Sequence, residues 1–166
     1  MSLQQHSPTK GQSWKNVRGK LTPMAALDKL TWFGVGGPSE WLFEPADTQD
    51  LVFLLQNCPN EIPIHVLGAG SNTLVRDGGV KGITIKLNGL FTQITFEGPN
   101  KIIAGAGASD GEVSRYAASK EIAGLEFLIG IPGTIGGGLS MNAGANGVEF
   151  KDVLERAFAI DRNGVE

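Results

Sequence analysis

Two glycine-rich turns have the residue types and spacing that could do chemistry. They are Gly68-Ala69-Gly70-Ser71-Asn72, directly after an apolar run, and Gly130-Ile131-Pro132-Gly133-Thr134-Ile135-Gly136-Gly137 further along. Glycine lets the main chain take positive φ and approach a ligand closely, so consecutive N–H groups can converge on an anion with no side chain between. Two such turns imply an extended, phosphorylated ligand. Turn-making and close packing explain any single glycine cluster equally well. That alternative weakens here because the first turn follows a strand, Pro132 stiffens the second, and Asn142-Ala143-Gly144 adds a further run of small residues.

Several familiar sites are excluded. A dinucleotide-binding G-x-G-x-x-G fails because Thr73 stands where the third glycine belongs, and Asp77 comes too early for the ribose-binding acid. No glycine run carries the Lys-Ser/Thr ending of a P-loop. Gly107-Ala108-Ser109-Asp110-Gly111 matches the G-x-S-x-G nucleophile elbow, but that triad needs a later histidine, and His6 and His65 both precede Ser109. A helix cap explains Ser109 without a triad. Two histidines, one cysteine and no acidic cluster at ligand spacing give no metal signature. His65 is expected inside a buried strand, Trp32-Phe33 in the core, and Cys58 on the packed face of a helix.

The elements that must position these turns follow from the local pattern. With 166 residues, 41% hydrophobic and 19% charged, the chain suits one soluble domain with a real core. Glycine, at 24 residues, is roughly twice its usual ~7% share, so turns or ligand contacts must account for it. A net charge of −3 offers no footprint for nucleic acid or an anionic membrane. The lone cysteine fits a reducing compartment, the polar start lacks a secretory h-region, and a cytoplasmic location is expected. Residues 127–148 carry no formal charge, but their glycines, Pro132 and Asn142 rule out a lipid-facing helix.

Asp47 offers an N-cap, and Leu51, Leu54, Leu55 and Cys58 fall at helical spacing before Pro59. Ile64 to Leu67 reads as a buried strand, residues 83–87 as a half-buried alternating one, and 94–96 and 102–104 as strands that continue the series around the turn residues Gly98, Pro99 and Asn100. Ser109 with Glu112 suggests a capping box ahead of the apolar face Val113, Tyr116, Ala117. Val153 to Ile160 reads as another strand. Asn163-Gly164 signals a type I′ hairpin with only Val165 and Glu166 after it, so the chain is expected to break off inside a structural unit. The expected class is α+β, with ligand loops at strand ends. Trp14 and Val17 are expected to anchor a short helix within an otherwise loose start.

At these residues the chain resembles the family of UDP-N-acetylenolpyruvoylglucosamine reductases. Four motifs carry the resemblance in order: Thr31-Trp32-Phe33-Gly34-Val35-Gly36-Gly37; Val66-Leu67-Gly68-Ala69-Gly70-Ser71-Asn72-Thr73-Leu74-Val75; Gly124-Leu125-Glu126-Phe127 running into Gly130-Ile131-Pro132-Gly133-Thr134-Ile135-Gly136-Gly137; and Met141-Asn142-Ala143-Gly144-Ala145-Asn146-Gly147. The resemblance implies an FAD-binding domain of the vanillyl-alcohol oxidase (PCMH) type over residues 27–166, two small α/β subdomains with the flavin between them. Residues 1–26 would form a partly flexible extension, and a substrate-binding domain would lie outside this chain. It further implies that Gly68, Ala69, Gly70, Ser71, Asn72, Thr73 and Leu74 wrap the FAD pyrophosphate. Gly130, Ile131, Pro132, Gly133, Gly136 and Gly137, with Asn142, Ala143 and Gly144, would line the adenine and isoalloxazine ends. Asn146 stands where many members have tyrosine, and Gly34 where many have arginine.

By the same resemblance the reaction is reduction of UDP-N-acetylglucosamine enolpyruvate to UDP-N-acetylmuramate in peptidoglycan synthesis. Hydride passes from NADPH to flavin to substrate, a serine supplies the proton, and a glutamate and an arginine stabilise the enolate. Those three residues are expected beyond residue 166, so no catalytic residue is assigned here. The implied partners are the two small-molecule substrates, with no nucleic acid or membrane, acting on a monomer. A domain of another oxidoreductase with this fold, or a non-catalytic fragment, is the alternative.

Overall fold

Helix α1, Thr48–Asn57, begins where Asp47 precedes an apolar stripe, and the Asp47 carboxylate accepts from the Asp50 N–H at 2.9 Å. Leu51, Leu54 and Leu55 are buried along one face, and Cys58 closes the helix and joins the same cluster. In the computed structural model, which describes residues 13–166, this helix lies on a four-stranded sheet ordered β1-β2-β4-β3. The strands are β1 Lys20–Ala25, β2 Ser39–Glu44, β3 Ile64–Val66 and β4 Val80–Ile85. β1 runs antiparallel to β2, while β2 and β3 each run parallel to β4. Phe43 and Ile83, both fully buried, pack against Leu54 and Trp14.

Two strand expectations change. β4 is buried on both faces, since Ile83, Thr84 and Ile85 are all covered, rather than half-buried. The Thr84 hydroxyl survives inside because Ser39 Oγ donates to it at 2.7 Å. β3, expected to be buried, is an edge strand: it pairs only with β4, His65 is exposed, and Val66 is 71% exposed. Regular structure also starts ahead of Leu27. A 3₁₀ turn, Ser13–Asn16, seats Trp14 in the core, edge-on to Trp41 at 5.7 Å. The expectation of a loose start falls mostly on residues 1–12, outside the described residues.

The rest of the chain forms a second layer with its own core of Ala108, Val113, Phe127, Leu128 and Phe150. The two expected strands, β5 Ile94–Phe96 and β6 Ile102–Ala104, form and pair antiparallel. Helix α2, Asp110–Ser119, follows, then a 3₁₀ turn at Glu126–Gly130 and helix α3, Ile135–Ser140. Strands β7 Gly144–Ala145 and β8 Val148–Glu149 lead into helix α4, Phe150–Val153. No capping box forms at Ser109: it is the N-cap residue of α2, but its side chain makes no cap bond, and its backbone bridges to Thr134 instead.

The expected strand over 153–160 is absent. α4 ends at Val153 and the chain then runs irregularly, because an apolar alternation becomes a strand only where a ladder partner is available. Lys101 pairs with Glu155 at 2.7 Å, and Arg156 with Glu97 at 3.5 Å, tying this segment to the β5-β6 hairpin through side chains. At Asn163-Gly164 only the glycine takes positive φ, 76°, while Asp161 N–H bonds Val165 O at 2.8 Å. That is a loop with a glycine bulge, not the expected type I′ turn. The turn with two positive-φ residues is Asn146-Gly147, at 55° and 83°, joining β7 to β8.

Candidate functional site

The first glycine turn leaves the end of edge strand β3, where Leu67 N–H still bonds Ile85 O at 2.9 Å. From Gly68 to Leu74 no backbone N–H makes a close hydrogen bond to an acceptor among the described residues, although residues 71–72 form a turn. Gly70 is buried and sits at φ +70°, with its carbonyl accepting from Trp32 N–H at 3.0 Å. A Cβ there would lie 2.3 Å from Leu30 O, so the turn is pressed against residues 30–32 and only glycine fits. Within this run only Gly70 is buried, Asn72 and Leu74 being exposed, and successive backbone N–H groups without protein acceptors on one turn form a concavity that suits an anion.

The second turn spends most of its donors internally, Thr134 N–H being without an acceptor among the described residues. Ile135 N–H goes to Ala108 O at 2.9 Å, Gly136 N–H to Ala106 O at 2.8 Å, Gly133 N–H to Ile131 O at 3.0 Å, and Gly138 N–H to Thr134 O at 2.8 Å. Thr134 caps α3, its hydroxyl accepting from Gly137 N–H at 3.4 Å. Pro132 has no N–H to offer. This turn therefore supplies shape, not an amide cradle: Gly136 lets the main chain press on Ala106, where an added Cβ would meet the alanine Cβ at 2.9 Å. Gly130 likewise packs toward Ala145.

The two turns meet. A Cβ on Gly68 would lie 2.7 Å from Thr134 Oγ1 and 3.9 Å from Gly137 Cα, which places the first turn across the start of α3. Asn72 Nδ2 reaches Met141 Sδ at 3.9 Å from the far end of α3. Of the Asn142-Ala143-Gly144 run, the asparagine side chain is committed to the protein. Its Nδ2 donates to Glu149 at 2.9 Å and its Oδ1 accepts from Lys151 N–H at 3.0 Å. Lys151 and Asn142 together hold the Glu149 carboxyl below its ordinary range. Ala143 N–H bonds Gly138 O at 2.8 Å, and a Cβ on Gly144 would meet Val148 O.

Trp32 and Phe33 are 66% and 57% exposed, which corrects the expectation that they lie in the core. The backbone bond from Trp32 to Gly70 holds them beside the turn, facing outward, and Leu74 and Met141 are likewise exposed nearby. Beneath Thr31, whose own hydroxyl is buried without a partner among the described residues, the small cluster Leu27, Leu67 and Val75 supports both ends of the turn.

Two residues at the site were not singled out from the sequence. Lys86, at the end of β4, donates from Nζ to Gly68 O at 2.8 Å. Asp110, the first residue of α2, is fully buried with neither carboxylate oxygen bonded among the described residues, and Oδ2 lies 2.6 Å from where a Gly133 Cβ would be. Burial pushes its carboxyl up to about 6. A charged residue at a helix start, like Asp110, or at a polar position of an alternating strand pattern, like Lys86, reads as surface in a one-dimensional pattern, so neither residue left a signal.

Comparison with known proteins fits this geometry. Residues 39–165 match the model of the FAD binding domain family. The chain is 51% identical over 165 residues to the UDP-N-acetylenolpyruvoylglucosamine reductase of Bradyrhizobium sp. strain ORS 278, covering 99% of this chain and 53% of that one. The reductase of the same name from Maricaulis maris strain MCS10 is 52% identical over 148 residues, covering 89% and 47% respectively. Among solved structures, UDP-N-acetylenolpyruvylglucosamine reductase (MurB) from Thermus caldophilus superposes with a TM-score of 0.64 at 36% identity, over 80% of this chain and 45% of that one. The chain thus spans about half the length of the curated relatives it matches. No described helix is long and apolar enough to cross a membrane. The open amides of residues 68–74 suit a diphosphate, and Gly68 brings that turn against Thr134 and Gly137 of the second, so the residues present fit the group that the family is named for. The chain belongs to the FAD binding domain family, with the α+β fold of the PCMH type.

Proposed function

We propose that this chain is the FAD-holding part of a UDP-N-acetylenolpyruvoylglucosamine reductase, a cytoplasmic, monomeric, NADPH-dependent enzyme that reduces the enolpyruvyl group of its UDP-sugar substrate in peptidoglycan precursor synthesis. Relatives of that name, 51% and 52% identical, support the reaction. The observation that carries the site is the run of backbone N–H groups at 68–74 with no acceptor among the described residues. When bound, FAD supplies hydride chemistry between NADPH and the enolpyruvyl carbon.

This chain's residues hold and orient. The amides of Gly68 to Leu74 take the pyrophosphate, with Ser71 and Asn72 adding side-chain bonds. Gly130, Ile131, Pro132, Gly133, Gly136 and Gly137, braced on Ala106 and Ala108, give the flat wall along which the ligand lies. Ala143 and Gly144 continue that wall. Asn142 fixes the β7-β8 hairpin, and so contributes shape in place of a free side-chain bond. The FAD-holding domain covers 27–166, and β1 adds an outer strand to its sheet.

The test is a visible absorption spectrum of the purified chain after incubation with excess FAD and desalting. A retained, oxidised flavin band in near one-to-one ratio is the expected result. Loss of all flavin colour on desalting rejects the assignment.

A further inference from the structure

We propose that Lys86 is a positioning residue of the pyrophosphate site: its ammonium locks the Gly68 peptide so that the Ala69 N–H faces the anion, and it provides the fixed positive charge behind that peptide. The proposal deepens the FAD reading above and rests on it. Lys86 Nζ donates to Gly68 O at 2.8 Å across eighteen residues of chain. A peptide unit is planar and trans, so its C=O and N–H point in opposite directions. Fixing Gly68 O on Lys86 therefore turns the Ala69 N–H away from the lysine, and no described residue accepts from that N–H.

The charge is also unspent. Lys86 is half-buried and enters none of the ion pairs among the described residues. The acid that acts on it electrostatically is Glu44, which is engaged elsewhere, with Asn88 at 2.7 Å and Lys20 at 3.7 Å. Burial lowers the lysine below its ordinary value and Glu44 offsets this in part, as expected of a cation held in a partly dry place without a full counter-ion. A protein of net charge −3 has no general attraction for a diphosphate, so one oriented cation at the turn matters more than it would on a basic surface. Polarising a peptide whose N–H meets an anion strengthens that hydrogen bond, and charge-assisted bonds are the strong ones.

The experiment compares the unmodified chain with K86R, K86Q and K86M, reading FAD affinity by flavin fluorescence at low and high salt, with riboflavin as the ligand that lacks phosphate. K86M and K86Q should lose FAD affinity about tenfold or more at low salt, K86R should stay within about threefold, and riboflavin binding should be alike in all four. Far-UV circular dichroism identifies any variant that has not folded. A measurement on the unmodified chain stands apart from the variants: in a 15N-labelled sample, saturating FAD should shift the Ala69 amide downfield. Undiminished FAD affinity in K86M, equal loss of FAD and riboflavin, or an unmoved Ala69 amide with FAD bound each overturns the role of Lys86. An unmodified chain that binds no FAD overturns the FAD reading itself, and the proposal with it.

Discussion

Gly70 concentrates the constraints on the site into one residue. Its φ of +70° penalises any side chain, and its α-hydrogen faces Leu30 O at a distance that leaves no room for a methyl group. G70V should therefore lose flavin retention on desalting, while G78A, whose Cβ meets nothing within 4 Å, should keep it. Equal retention in both variants contradicts the cradle. Asp110 poses a different residue-scale question, because a buried carboxyl without partners destabilises the fold once it ionises. Its folded pKa, about 6, lies above the unfolded value of 3.8. Protons are thus bound more tightly in the folded state, and the contribution of Asp110 to stability falls as pH rises from the lower value through the upper one. Relative to wild type, D110N should gain on the order of 1–3 kcal/mol between pH 4 and pH 7, measured by urea unfolding at both. An unchanged difference between the two proteins across that range counts against it.

At the scale of elements, one carboxylate joins helix α1 to the strand entering the sheet. Asp50 is 2% exposed and accepts from the backbone N–H groups of Arg18 at 2.7 Å, Gly19 at 2.8 Å and Ala46 at 3.0 Å. Burial alone pushes this carboxyl up, but the three amides outweigh it and hold it below the ordinary range. Its stabilising effect is therefore present above the unfolded pKa and lost as pH falls through the lowered one. Replacing it by asparagine leaves at least one amide facing a donor, so D50N should cost roughly 2–4 kcal/mol, seen as a lower urea midpoint at unchanged slope. A cost within about 0.5 kcal/mol, typical of a surface substitution, would show that the joint carries no load. The same logic explains why β1 was hard to anticipate: its place depends on Asp50, thirty residues away, and on its antiparallel register with β2.

At the scale of the molecule, the sheet layer and the helical layer meet where Gly68 lies across Thr134 and Gly137, and the FAD proposed above would span that seam. A ligand that bridges two layers stabilises the folded state by mass action. FAD at a hundred times its Kd should add about 2.7 kcal/mol and raise Tm by about 5–10 °C for a domain of this size, with riboflavin giving less. A thermal scan with no shift in excess FAD contradicts a ligand at the seam. The sequence by itself determined what depends on near neighbours: α1 with its Asp47 cap, the β5-β6 pair, the turn after β3, and the ordered motifs that carry the family. Each of these arises from periodicity or from a residue's own backbone preference. Tertiary structure alone decided what depends on partners. It left β3 at an edge and Trp32 and Phe33 outside, and it withheld a ladder from residues 154–160. It consumed two donors of the second turn through Ala106 and Ala108, and brought Lys86 and Asp110 against glycines distant in the chain. Two glycine turns that look alike in sequence thus differ in their hydrogen bonding, because most donors of one have protein acceptors within reach and those of the other have none among the described residues.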